Sequence, residues 1–132
     1  MREIKFRGMD TVNNKWIYGN LEIPLVNQSK SKHFITGYAY GQYQKIDVNP
    51  KTVGQYTGLK DKNGTPIYEG DLLKHPTGVV AEIKYENDVA SFVAVYTEND
   101  DIEMNHLDKE IISKCEVVGN IYENLELLEG EK

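Results

Sequence analysis

Tyr38, Tyr40 and Tyr43 stand with Lys45 in a tyrosine-rich stretch, and Lys30, Lys32, Lys51, Tyr56, Lys60 and Lys62 lie nearby in the sequence. Aromatic faces stack on bases while ammonium groups neutralise phosphates, so this interleaving on a β surface suits single-stranded nucleic acid. The same tyrosines suit ordinary sheet packing, and no RNP or KH signature accompanies them. Both readings stay open. Arg2, Lys5 and Arg7 form a second basic group, which can hold an anion or an acidic partner or be the wet side of an amphipathic strand.

Other chemistry finds little support. His33, His75 and His106 lie far apart without ligand spacing, and zinc at Cys115 would need three partners from unrelated places, so no metal is expected. The acidic run Asp100, Asp101, Glu103 and Asp108 lacks the glycine and spacing of a calcium loop. Cys115 falls on the apolar parity of a strand, where a thiol is usually an inert core atom, which argues against a Cys115–His106 pair. Glu69 and Asp71 flank Gly70 and fit a bend better than an acid–base dyad. There is no nucleophile elbow, Walker loop or dinucleotide fingerprint, so neither a cofactor nor an enzymatic activity is expected.

The elements that must position these residues read as strands. Ile4 and Phe6 alternate with Glu3, Lys5 and Arg7, predicting one apolar and one charged face. A turn over Asp10 to Lys15, with Asn13-Asn14 suited to left-handed angles, leads to a strand around Trp16 to Tyr18. Trp16, the only tryptophan, is expected to anchor a core or a groove. Residues 26 to 33 are a long polar loop, and Phe34 to Val48 is extended. Val79, Ala81, Ile83 and Tyr85 are predicted to face a core, and Val89 to Tyr96 to be buried on both sides. Residues 97 to 114 are ambiguous. Cys115 to Ile121 makes a last strand, and Asn124 is placed to cap a short helical turn.

The most identifying stretch is Val53 to Leu73. Asn63-Gly64 allows a two-residue turn or a three-residue loop with a bulged glycine, and the second closes on Asp61 and Thr65, sets Leu59 against Ile67 and gives Gly64 a positive φ. Pro66, which has no N–H, should lie on an edge strand or point outward.

A chain of 132 residues fits one domain with a sizeable core. Its single cysteine excludes an intrachain disulfide and suits a reducing cytoplasm, and no apolar run approaches the roughly 18 residues of a membrane helix. The net charge of −6 hides a split. Residues 1 to 66 carry ten Lys/Arg against five Asp/Glu, a net of +5, whereas residues 67 to 132 carry five against sixteen, a net of −11. This permits a ligand-facing basic surface, attraction between the halves or self-association.

Lys5-Phe6-Arg7 with Asp10, the Val53 to Leu73 segment, and Val118-Gly119-Asn120-Ile121-Tyr122-Glu123-Asn124 with Glu126-Leu127-Leu128 together resemble the YopX family of small phage and prophage proteins of Gram-positive bacteria. Gly8-Met9, Thr65-Pro66 and Leu125 depart from the usual pattern. The resemblance implies an all-β protein: an N-terminal β extension over 1–50 and a small SH3-type β-barrel over 51–128, with at most short helical turns. It supplies no substrate. The expected function is therefore a non-enzymatic module that binds a host or phage protein in the cytoplasm of the bacterial host, with nucleic-acid binding through the basic, tyrosine-rich half as the alternative. An enzyme would need a pocket near Glu69, Asp71, His75 or His106.

Overall fold

The structure is a computed structural model that describes residues 3–24, 32–98 and 101–129. It is all-β, with two antiparallel ladders and two four-residue helices, and it divides into two compact units, residues 1–56 and 57–132.

The first unit contains β1 (Phe6–Met9), β2 (Trp16–Glu22), β3 (His33–Ala39), β4 (Gln42–Val48) and the start of β5 (Gly54–Lys60), ordered β4-β3-β2-β1-β5. Its core is Ile17, Ile35, Ile46 and Val48, with Phe6, Leu21, Ala39 and Val53 packed around them. Burying each aliphatic side chain stabilises by roughly 1.5–3 kcal/mol. The far edge of β4 returns to the end of β1: Asn49 N–H donates to the Met9 carbonyl at 2.8 Å, and Asp10 bridges Val48. Two glycines let β2 and β3 approach. A β-carbon on Gly19 would lie 2.0 Å from the Thr36 carbonyl oxygen, and one on Gly37 would lie 2.0 Å from that of Tyr18.

Alternation alone misassigns β1. Ile4 is exposed, whereas Arg7, expected on a wet face, is only 5% exposed, with its guanidinium 4.3 Å from the centroid of the Trp16 ring. A planar cation stacked on an indole keeps its charge while covering apolar surface, which makes this burial tolerable. Arg2 and Lys30 lie outside the described residues, as does most of the 26–33 loop.

The second unit holds the rest of β5, then β6 (Pro66–Tyr68), β7 (Asp71–Lys74), β8 (Val80–Glu86), β9 (Ser91–Glu98), β10 (Asp101–His106), α1 (Lys109–Ile112), β11 (Glu116–Asn120) and α2 (Glu126–Glu129). Ile67, Leu73, Ile83, Ile112 and Cys115 form its core, with Leu59 packed against them. The β5–β6 loop closes as the bulged form: Asp61 N–H donates to Thr65 O at 2.9 Å, Gly64 N–H to Asp61 O at 3.0 Å, and Gly64 has φ 83°. Pro66 lies in β6, the terminal strand of its ladder, where its missing N–H costs nothing.

The five-stranded ladder runs β10-β9-β8-β7-β11 and does not close into a barrel. The start of β11 is met instead by the β5–β6 loop, where Lys62 N–H donates to Cys115 O at 3.0 Å and Val117 N–H to the Asp61 carboxylate at 2.9 Å.

Three other expectations are corrected. Tyr85 is exposed and packs edge-on against Phe92, with ring centroids 5.2 Å apart. Val89 sits in an exposed 3-10 turn before β9, and among that strand's described side chains only Val93 is buried, because Val95 and Thr97, further along the same face, border an open groove. Asn124 does not cap a helix with its side chain. Its Oδ1 reaches back to accept from Asn120 N–H at 3.2 Å. The ambiguous 97–114 stretch resolves into the end of β9, all of β10, and α1, whose N-terminus Asp108 caps by accepting from Glu110 N–H at 2.9 Å.

Candidate functional site

The β3–β4 hairpin turns on Tyr40-Gly41, with φ 53° and 85°, the two positive values that a tight primed turn requires. Glycine adopts such angles readily and tyrosine does not, so Tyr40 needs an anchor. Its hydroxyl donates to Asp10 Oδ2 at 2.6 Å. Asp10 also accepts from the Val12 N–H at 2.7 Å and the Asn13 N–H at 3.2 Å. The Tyr40 hydrogen bond, with those amides, holds the Asp10 carboxyl below its ordinary range, and reciprocally the carboxylate raises the Tyr40 phenol.

From this turn the register is fixed: Tyr38 stands opposite Tyr43, Thr36 opposite Lys45 and Phe34 opposite Asp47. On the other side of β3, Asn20 faces Thr36 and Glu22 faces Phe34. Because Ile35, Ile46 and Ile17 point to the core, the alternate residues point out. The outward face therefore joins Phe34, Tyr38, Tyr43 and Lys45 with Glu22 and Asp47, and Tyr18 shares its parity. Tyr38 is 74% and Tyr43 65% exposed.

The electrostatics of this face are balanced. Lys45 Nζ lies 3.5 Å from Glu22 Oε1 and 4.8 Å from the Phe34 ring centroid, and Lys32 Nζ lies 3.6 Å from Asp47 Oδ2. Exposed pairs of this kind contribute about 0–1 kcal/mol each to stability, but they cancel the local positive potential.

Of the residues singled out in the sequence, Tyr38, Tyr43 and Lys45 are brought together. Tyr40 is tied into the Asp10 turn. Tyr56 is buried, under Lys5 Nζ at 5.7 Å from its ring centroid, and burial together with the Glu3 charge pushes its phenol up. Lys60 is exposed on the part of β5 that belongs to the second unit. Phe34, Glu22 and Asp47 were missed, and their signal was available only through the period-two spacing once the register of β2, β3 and β4 is known.

The second unit has a cavity of about 300 Å³ with His75, His106, Asn105 and Tyr96 around an apolar floor that includes Cys115. His75 Nδ1 accepts from Thr77 N–H at 3.1 Å and lies 2.9 Å from Thr77 Oγ1. The Cys115 thiol donates to Ile111 O at 3.4 Å, and burial raises its pKa. Among the described residues no three His, Cys, Asp or Glu side chains are grouped to hold a metal. Asp71 accepts from Tyr68 N–H at 2.8 Å and so braces the bend at Gly70.

A family profile described as "YopX protein" matches residues 5–129. The chain belongs to the YopX family. Among solved structures, the crystal structure of protein EF1440 from Enterococcus faecalis is similar, with 25% identity over 97% of this chain and 99% of that one and a TM-score of 0.50. No curated protein matches. The two bridged loops, Asp10 with Tyr40 and Asp61 with Val117, thus lie inside the YopX match, as does the tyrosine face. Among the described residues no helix is long and apolar enough to cross a membrane.

Proposed function

We propose that this YopX-family chain is a non-enzymatic interaction module whose outward β2-β3-β4 face binds a protein partner, of the host or of a phage, in the cytoplasm of a bacterium. The observation that carries the reading is the pairing of exposed Tyr38 and Tyr43 beside a charge-neutral cluster of Lys32, Lys45, Glu22 and Asp47. Tyrosine supplies large, rigid, amphipathic contact area, and exposed aromatic clusters rimmed by polar groups are what protein partners use.

The nucleic-acid alternative draws on the same tyrosines and the basic first half. It is weakened by Glu22 and Asp47, which would meet the phosphates a bound strand brings to Lys45 and Lys32. The cavity beside His75 and His106 is the pocket an enzyme would need; the non-enzymatic reading is kept because burial raises the pKa of its one thiol, Cys115, and His75 Nδ1 already accepts from Thr77 N–H. An SH3-type barrel over residues 51–128 is the finer description proposed, on the family resemblance alone.

Affinity capture from bacterial extract, with and without nuclease, separates the two binding readings. Retention of the same proteins after nuclease is expected. Loss of all captured protein after nuclease, together with binding to single-stranded DNA that falls steeply with salt, would replace this proposal with the alternative.

A further inference from the structure

Exposed sheet edges invite another strand, and proteins guard them with lysine, proline, bulges or very short edge strands. β10 has none of these four, and its only carboxylate guards, Asp101 and Glu103, would repel an acidic strand but not a basic one. It runs six residues, pairs with β9 residue for residue without a shift in register, contains no Lys, Pro or Gly, and ends its ladder. All six residues are exposed.

Its side chains separate by chemistry. Ile102, 77% exposed, and Met104 point to one face, and Ile102 lines a groove of about 670 Å³ with Val80, Val95, Val118 and Leu127. Asp101 and Glu103 point to the other, and among the described residues neither has a salt-bridge partner. Asp108 and Glu110, exposed just beyond the strand, extend the acidic side.

We propose that the outer edge of β10 takes an extended segment of a partner protein as an added strand, and that this segment alternates apolar with basic residues. Backbone hydrogen bonds to β10 would hold it, its apolar side chains would continue the Ile102 and Met104 row over the groove, and its Lys or Arg side chains would face Asp101 and Glu103. A second copy of β10 is the poorer occupant. Antiparallel pairing about Met104 would put Asp101 and Glu103 of both copies on one face with Asn105 and no basic side chain between them, whereas a Lys or Arg segment supplies the opposite charge. This surface is separate from the tyrosine face and does not depend on it.

The test uses the full chain and an acetylated, amidated octapeptide alternating Lys and Val, with amide hydrogen exchange as the readout. At about ten times its Kd the peptide slows exchange of the β10 amides about tenfold. The same peptide N-methylated at alternate residues, and a Glu–Val version, give no protection. Ile102→Lys, which installs an edge guard on an exposed side chain, weakens binding about tenfold while the thermal midpoint is unchanged. Equal protection by the N-methylated peptide would reduce the effect to charge attraction and overturn the proposal. So would protection by the Glu–Val peptide, no protection by the Lys–Val peptide, or protection of β10 that appears with protein concentration alone, which would mean pairing between copies.

Discussion

The β3–β4 and β5–β6 hairpins use the same trick at their tips and opposite economies along their lengths. Both turn through left-handed glycines, Gly41 and Gly64, and both are braced by an aspartate that gathers backbone amides. In β5–β6 the identifying residues are committed to structure: Asp61 accepts from Asn63 N–H at 2.8 Å, Thr65 N–H at 2.9 Å and Val117 N–H at 2.9 Å, and Leu59 packs against the core cluster that contains Ile67. In β3–β4 the inward residues do that work, and of the outward tyrosines only the Tyr38 hydroxyl is engaged, donating to Gly41 O at 3.2 Å, while both rings stay exposed. The segment most recognisable in the sequence is therefore the one whose identifying residues serve the fold, and the less distinctive hairpin carries the candidate face.

The largest expected effect tests the backbone of the tyrosine hairpin. Gly37→Ala puts a β-carbon 2.0 Å from the Tyr18 carbonyl oxygen and should cost about 3 kcal/mol, at the top of the usual overpacking range, as measured by denaturant unfolding. If Gly37→Ala were neutral, β2 and β3 would not approach as described.

Asp61→Ala comes next. It orphans three backbone amides that the fold partly buries and should cost about 2–3 kcal/mol, read as a lower midpoint in the same unfolding curve. The same residue predicts a pH dependence. Burial raises the Asp61 carboxyl, but the amides of Val117, Thr65 and Asn63 outweigh it and leave the folded pKa below the ordinary 3.8. The unfolded chain therefore binds the proton more readily, so this contribution is present above about pH 4 and is lost as pH falls through the lowered folded value. Asp61→Asn should flatten that part of the stability-against-pH curve, and an unchanged curve would show that Asp61 is not the group responsible.

Tyr40→Phe removes the hydroxyl that holds a left-handed tyrosine to Asp10. Its thermal midpoint should fall, by less than that of Asp61→Ala, because the turn is exposed and water can replace the lost partner. Smallest of all, Tyr38→Ser with Tyr43→Ser should change stability by no more than about 0.5 kcal/mol, the range of ordinary surface substitutions.

What was legible in the sequence follows local chemistry. The 61–65 loop could be read to the residue because Asp, Asn and Gly specify their own backbone angles and hydrogen bonds. The turn at Asn14 was legible for the same reason, with φ 56°. The burial of Arg7 and Tyr56 was not, since alternation shows that a strand has two faces without showing which one packs, and Arg7 stacks inside on Trp16, which lies on a neighbouring strand. β9 looked doubly buried because its sequence is apolar on both parities, yet beyond Val93 its residues Val95, Tyr96 and Thr97 line a groove. β10 was invisible as a strand because Asp101, Glu103, Asn105 and His106 lack β propensity and the pairing with β9 supplies the structure. Within the candidate site, the tyrosines were legible from composition, whereas Phe34, Glu22 and Asp47 required the cross-strand register.

The division between a structural hairpin and a binding hairpin is tested most directly by capturing partners from nuclease-treated bacterial extract with the wild-type chain and the Tyr38→Ser, Tyr43→Ser double variant, each checked by thermal unfolding. The account predicts that the double variant unfolds at the wild-type temperature and loses the proteins that the wild type retains. Undiminished capture by a normally folded double variant would contradict it.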